Sequence, residues 1–134
     1  MTQSKPTAIV IDSYPDAATL LSELLEIVGL DVLDEVKSYD QALSSFRKHL
    51  PQIVFMDVST TDQNSIFAIE GIKKIEPTCK IVALVADASH ETVELLDTAK
   101  LDAVLIKPYT VNSVIQVLRQ ELKINVSKSK NKKN

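Results

Sequence analysis

The sequence predicts an α/β protein built on a doubly wound parallel sheet with helices on both faces. Three observations carry this. Short apolar, β-branched runs alternate five times with segments of helical periodicity between residues 7 and 122. Runs such as Ala8-Ile9-Val10-Ile11 and Ile81-Val82-Ala83-Leu84-Val85 are apolar throughout, as strands buried on both faces are. Three of the runs end abruptly in a charge: Asp12, Asp57 and Lys107.

Each element can be justified in turn. Residues 7–12 make the first strand. Residues 16–28 follow as an amphipathic helix, with Ala17, Leu20, Leu21, Leu24, Leu25 and Val28 as its inner stripe, Pro15 in the first turn and Gly29 as the stop. Residues 31–36 are a more polar strand, which places them at a sheet edge. Ser38 and Gln41 form a candidate capping box for a helix over 39–49 that turns Ala42, Leu43 and Phe46 inward. The third strand is 52–57, and a helix over 64–75 carries Ile66, Phe67, Ile69, Ile72 and Ile75. Strand four is 80–85. Ser89 can cap a fourth helix with Val93, Leu96 and Ala99 inside. Strand five is 102–106, and Thr110 can cap a fifth helix with Val111, Val114, Ile115, Leu118 and Leu122 as its stripe.

Composition narrows the function classes. The chain has 134 residues, 45% hydrophobic and 25% charged, one domain's worth of ordinary globular material. No apolar run approaches the ~20 residues of a membrane span, the first six residues show no signal-peptide pattern, and Cys79 is a lone cysteine. A cytoplasmic, reducing setting is the expectation. The only two glycines, Gly29 and Gly71, leave no material for a glycine-rich phosphate loop. Five lysines and no acid fall in residues 123–134, so the net charge of −3 becomes −8 for the remainder. Residues 1–6 are expected to be an extension, 7–123 the domain, and 124–134 a lysine-rich disordered tail. An acidic body disfavours nucleic acid, apart from weak contact through that tail.

In a doubly wound sheet, ligands bind beyond the carboxyl ends of the strands. Asp12, Asp57 and Lys107 all sit at such ends, so parallel strands bring two carboxylates and an ammonium to one place. Each has a plain alternative: either aspartate can cap the helix that follows it, and a lone lysine is most often a surface residue. The coincidence of all three favours a site. Paired carboxylates call for a cation, and carboxylate oxygen with water suits Mg²⁺. A lysine aimed at the same spot suggests a phosphoryl group, and an aspartate can itself be a nucleophile towards phosphorus.

The segments Val10-Ile11-Asp12-Ser13-Tyr14-Pro15-Asp16, Ile53-Val54-Phe55-Met56-Asp57 and Leu105-Ile106-Lys107-Pro108-Tyr109 resemble the receiver domain of two-component response regulators. The resemblance spans residues 7–122, and Lys107-Pro108 is its most specific piece. It implies a flavodoxin-like fold of five strands in the order 2-1-3-4-5 with five helices. It also implies roles: Asp57 as phosphoacceptor, Lys107 pairing with the phosphoryl group, Asp12 in an acidic pair for Mg²⁺, and the Ser59 backbone carbonyl as a further metal ligand. The implied partners are a sensor histidine kinase or phosphotransfer protein, and a downstream protein on the face of the fourth helix, fifth strand and fifth helix.

The departures matter as much. Ser13 stands where the family usually has a second acid, so Mg²⁺ binding should be weak. Ala86 replaces the usual Ser or Thr, and Val104 the usual aromatic of the switch pair. Thr60-Thr61 and Asn64-Ser65 replace Met-Pro and Asp-Gly. They favour an alternative, a pseudo-receiver that binds proteins without phosphorylation. An aspartyl-nucleophile hydrolase of the haloacid dehalogenase type would need a second aspartate at position 59. A flavin protein would need a phosphate loop after strand one.

Overall fold

The structure, a computed structural model, describes residues 5–58, 64–86, 89, 94, 100–124 and 126. Five parallel strands, β1 (Thr7–Ile11), β2 (Asp31–Val36), β3 (Ile53–Asp57), β4 (Lys80–Val85) and β5 (Ala103–Ile106), form one sheet in the order β2-β1-β3-β4-β5. The helices are α1 (Pro15–Ile27), α2 (Tyr39–His49), α3 (Asn64–Ile75) and α4 (Val111–Gln116), the last continued by π-helical turns over Val117–Glu121. This is the flavodoxin-like order that the resemblance implied, with the polar strand β2 at an edge. The helix expected after Ser89 falls mostly outside the described residues.

Alternation along the strands builds two cores. Ala8, Val10, Phe55, Val82 and Leu84 face α1 and α4. Ile9, Ile11, Val54, Met56, Ile81 and Ala83 face α2 and α3. The punctuation reads as the sequence implied. Pro15 sits in the first turn of α1, and Gly29 takes φ +103°, which only glycine adopts without strain. The Ser38 side chain accepts from the Gln41 amide, half of the expected box, with no return bond from the Gln41 side chain among the described residues, whereas Thr110 and Ser113 cap each other reciprocally.

Two expectations need correction. Leu20 of α1 and Phe67 of α3 point outward, 55% and 67% exposed. The true inner stripes are Ala18-Leu21-Ser22-Leu25 and Ser65-Ala68-Ile69-Ile72, rotated by about one residue so that small side chains lie against the sheet. Small residues let helices approach closely, and beside Gly71 the Leu43 side chain of α2 would meet a Cβ at 2.8 Å. Packing continues beyond the π-helical turns. Ile124 packs on the core, and Val126 is buried in it, 7% exposed. The Ile124 amide donates to the Leu118 carbonyl at 2.7 Å, and the Arg119 Nε donates to the Val126 carbonyl at 2.5 Å. His49 of α2 is three-quarters covered and lies 3.6 Å from Asp34.

Opposite the carboxyl rim, Lys73 Nζ donates to the Cys79 carbonyl (2.6 Å) and to Asp102 Oδ2 (2.9 Å). The same Asp102 oxygen accepts the Ile81 amide at 2.8 Å. One lysine and one aspartate thus tie α3, β4 and the start of β5 together.

Candidate functional site

The ends of β1, β3 and β5 deliver the charged side chains, β1 and β3 side by side and β5 one strand further on, beyond β4. β1 is hydrogen-bonded to β3, and β3 to β4, so Asp12 and Asp57 leave adjacent strands at the same level. The Asp12 amide donates to the Val36 carbonyl at 2.9 Å and the Lys107 amide to the Val85 carbonyl at 2.9 Å. Backbone ladder bonds therefore fix where each side chain starts.

The side chains converge. Lys107 Nζ donates to Asp57 Oδ1 at 3.0 Å and lies 3.6 Å from Asp12 Oδ2. Asp12 is 2% exposed, and its Oδ1 accepts the Tyr14 amide at 3.0 Å, an Asx turn at the entrance to α1. A buried carboxylate needs such compensation, because an isolated charge taken out of water is very costly. Asp57 is half-buried, and its Oδ2 has no hydrogen bond within the described residues. Burial is the largest influence on Lys107 and opposes its charge. The hydrogen bond and charge of Asp57, with those of Asp12, together outweigh it and hold the lysine above its ordinary pKa.

The acids open onto a cleft of about 370 Å³ lined also by Ser13, Tyr14, Lys37, Ser38, Tyr39, Asp40 and Asn64. Sequence reasoning missed Tyr39. Its hydroxyl donates to the Asp57 backbone carbonyl at 2.6 Å and so pins the end of β3 to the start of α2. The available signal was an aromatic directly after the Ser38 cap, on the strand-end side of the sheet. Lys37 and Asp40 were missed too, because loop charges next to a cap carry no periodicity.

The remaining predicted positions are mixed. Ser13 is exposed at the cleft, and Ala86 is exposed just after β4 with only a methyl to offer. Val104 is half-buried and packs on the α2/α3 core. Ser59 lies outside the described residues. Tyr109 packs on the α1/α4 core, and its hydroxyl is buried without a partner among the described residues. Burial first, then the charges of Asp12 and Asp57, raise its pKa, so the phenol stays neutral. Among the described residues no cluster of three or more Asp, Glu, His or Cys is arranged to hold a metal. Two carboxylates in a polar cleft nevertheless form a hard-oxygen donor set, which suits a largely hydrated Mg²⁺.

This fold and this triad define a class: the chain belongs to the response regulator receiver domain family, which matches residues 8–119. Among its relatives is the chemotaxis protein CheY of Thermotoga maritima, 26% identical over 114 residues, covering 84% of this chain and 93% of the relative. The transcriptional regulatory protein ZraR of Escherichia coli is 31% identical over 123 residues, 91% of this chain but 27% of ZraR. Among solved structures, a CheY-like receiver domain from Methylobacillus flagellatus is 28% identical with a TM-score of 0.70, covering 87% of this chain and 98% of that one. A response regulator from Thermotoga maritima has a TM-score of 0.78 at 21% identity, a likeness of fold, covering 90% and 99%.

Proposed function

We propose that this receiver accepts a phosphoryl group on Asp57 from a sensor histidine kinase or a phosphotransfer protein and signals by protein–protein contact. The observation that carries the reading is the meeting of Asp12, Asp57 and Lys107 at one cleft. Asp57 Oδ2, the oxygen without a partner among the described residues, attacks phosphorus. The P–O bond forms as the donor's P–N bond breaks, and the departing imidazole nitrogen keeps the electron pair and takes up a proton. Lys107 moves from Asp57 Oδ1 to a phosphoryl oxygen, a short step from its 3.0 Å starting point. Asp12 and Asp57 would hold Mg²⁺, with the Ser59 carbonyl by family resemblance. When bound, the ion supplies charge neutralisation for the phosphoryl oxygens. With Ser13 in place of a second acid, that binding is weak.

A groove of about 550 Å³ between β5 and the last helix, lined by Val104, Ile106, Ser113, Gln116 and Val117, suits the output partner. Incubation with acetyl phosphate or beryllofluoride and Mg²⁺ tests the chemistry, with Asp57→Asn as the control. An adduct in intact mass, or NMR shifts, that depend on Asp57 support it.

The second reading is a pseudo-receiver whose contacts need no phosphate. Ala86 favours it, because the methyl leaves a phosphoryl oxygen without one donor. A hydrogen bond to a charged group is worth roughly 1.5–3 kcal/mol, which moves a two-state equilibrium by ~10–100-fold. No adduct at millimolar donor would select this reading.

A further inference from the structure

We propose that the acidic groove between α1 and the outer edge of β2 is the docking site for residues 127–134, the lysine-rich segment of the same chain. The groove encloses about 780 Å³, and Ser22, Glu23, Glu26, Asp34 and Glu35 line it. Two of its carboxylates are held in place by neutral donors: Glu26 Oε2 accepts the Val32 amide at 2.9 Å and Glu35 Oε1 the Thr19 hydroxyl at 3.1 Å. Among the described residues no lysine or arginine pairs with Glu23, Glu26, Asp34 or Glu35. Glu23, Glu26 and Glu35 therefore present negative charge to the groove with no lysine or arginine partner among the described residues.

A second observation is independent of charge. Ser22 lines the groove, is 7% exposed, and its hydroxyl has no hydrogen-bond partner among the described residues. A buried hydroxyl without a partner is costly, and this one lies just under the groove wall, where a small shift of the side chain would give it a partner. β2 is also an edge strand, with no strand on its outer side among the described residues. Negative charge, a spare hydroxyl and a free strand edge together fit an extended cationic peptide.

The chain supplies one. Residues 127–134 hold Lys128, Lys130, Lys132 and Lys133 with no acid. The alternation at 128, 130 and 132 puts three ammonium groups on one side of an extended segment. The point of departure is fixed: Val126 is buried in the core cluster that contains Leu21, Leu25 and Val28 of the α1 region, and Arg119 holds its carbonyl. Eight extended residues reach ~26–29 Å, well beyond the ~10–12 Å width of the helix to be crossed. Tethering also raises the local concentration of the segment to about millimolar.

Zero-length carbodiimide cross-linking of the full chain, followed by peptide mapping, tests the proposal. The expected links join Lys128, Lys130, Lys132 or Lys133 to Glu23, Glu26 or Glu35. They should form within single molecules of a mixed ¹⁴N/¹⁵N sample. They should fall severalfold at 1 M salt, where the Debye length is ~3 Å. In the triple variant Glu23→Gln, Glu26→Gln, Glu35→Gln, links from this segment to the groove should be lost, while amide NMR spectra report that the fold is kept. Removing residues 128–134 should shift the amide signals of Thr19, Ser22, Val32 and Glu35. Links directed elsewhere, links only between isotopically different molecules, or unchanged groove signals after removal would each overturn the proposal.

Discussion

Replacing Lys107 with Met keeps the length of the side chain and removes its charge, so it isolates what the ammonium contributes. At 3.0 Å and an effective dielectric constant of about 20, the gross attraction to Asp57 is ~5–6 kcal/mol. Desolvation of both groups and solvent screening oppose this, since the two side chains are 29% and 22% exposed. A charge-assisted hydrogen bond in such a setting nets roughly 1–2 kcal/mol. The assay is urea unfolding, followed by circular dichroism, of the parent, Lys107→Met, Asp57→Asn and the double variant. Repulsion between Asp12 and Asp57 enters both Asp57→Asn steps and cancels in the difference. With a slope of ~1–3 kcal/mol per molar urea, the coupling corresponds to ~0.3–2 M in the midpoint. A coupling below ~0.5 kcal/mol would mean that the lysine and aspartate merely sit together, and the electrostatic account of the site would fail.

Three further outcomes are expected. Lys107 is held above its ordinary pKa of 10.5, so its contribution is complete below that pH and is lost as pH rises through the elevated value. The parent should therefore lose stability above pH 10.5 relative to Lys107→Met, as read by alkaline unfolding curves; parallel curves would contradict this. Tyr39→Phe deletes the bond to the Asp57 carbonyl and should cost ~0.5–1.5 kcal/mol in urea unfolding, with NMR shifts concentrated at Asp57 and α2. Cys79 is buried, and burial pushes its thiol up to about 12. At pH 8 it should react with a disulfide reagent only at the rate of unfolding, and fast labelling of native protein would contradict that.

The strands were legible because buried parallel strands leave uninterrupted apolar runs that stop at charges. The three charges Asp12, Asp57 and Lys107 were legible for the same reason. Helix faces were read less well. Counting apolar residues put Leu20 and Phe67 inside, whereas packing chose the small residues Ala18, Ser22, Ser65 and Ala68. Close approach to a sheet selects for size as well as for hydropathy, and periodicity alone does not weigh size. Tyr39 escaped because its bond to Asp57 joins residues 18 apart in sequence. Ile124 and Val126 escaped because two apolar residues beside a lysine-rich stretch are too few to show a period.

The Lys73–Asp102 clasp has a mechanical consequence. It anchors α3, β4 and the start of β5 at the end of the sheet farthest from the charged cleft, where the Cys79 carbonyl and the Ile81 amide complete it. A lever fixed at its foot can swing at its head but cannot slide along its length. Any rearrangement set off at the cleft must therefore reach the outer surface as a pivot of α3 and β5 about that foot. Its amplitude should grow steadily from Asp102 towards Ile106.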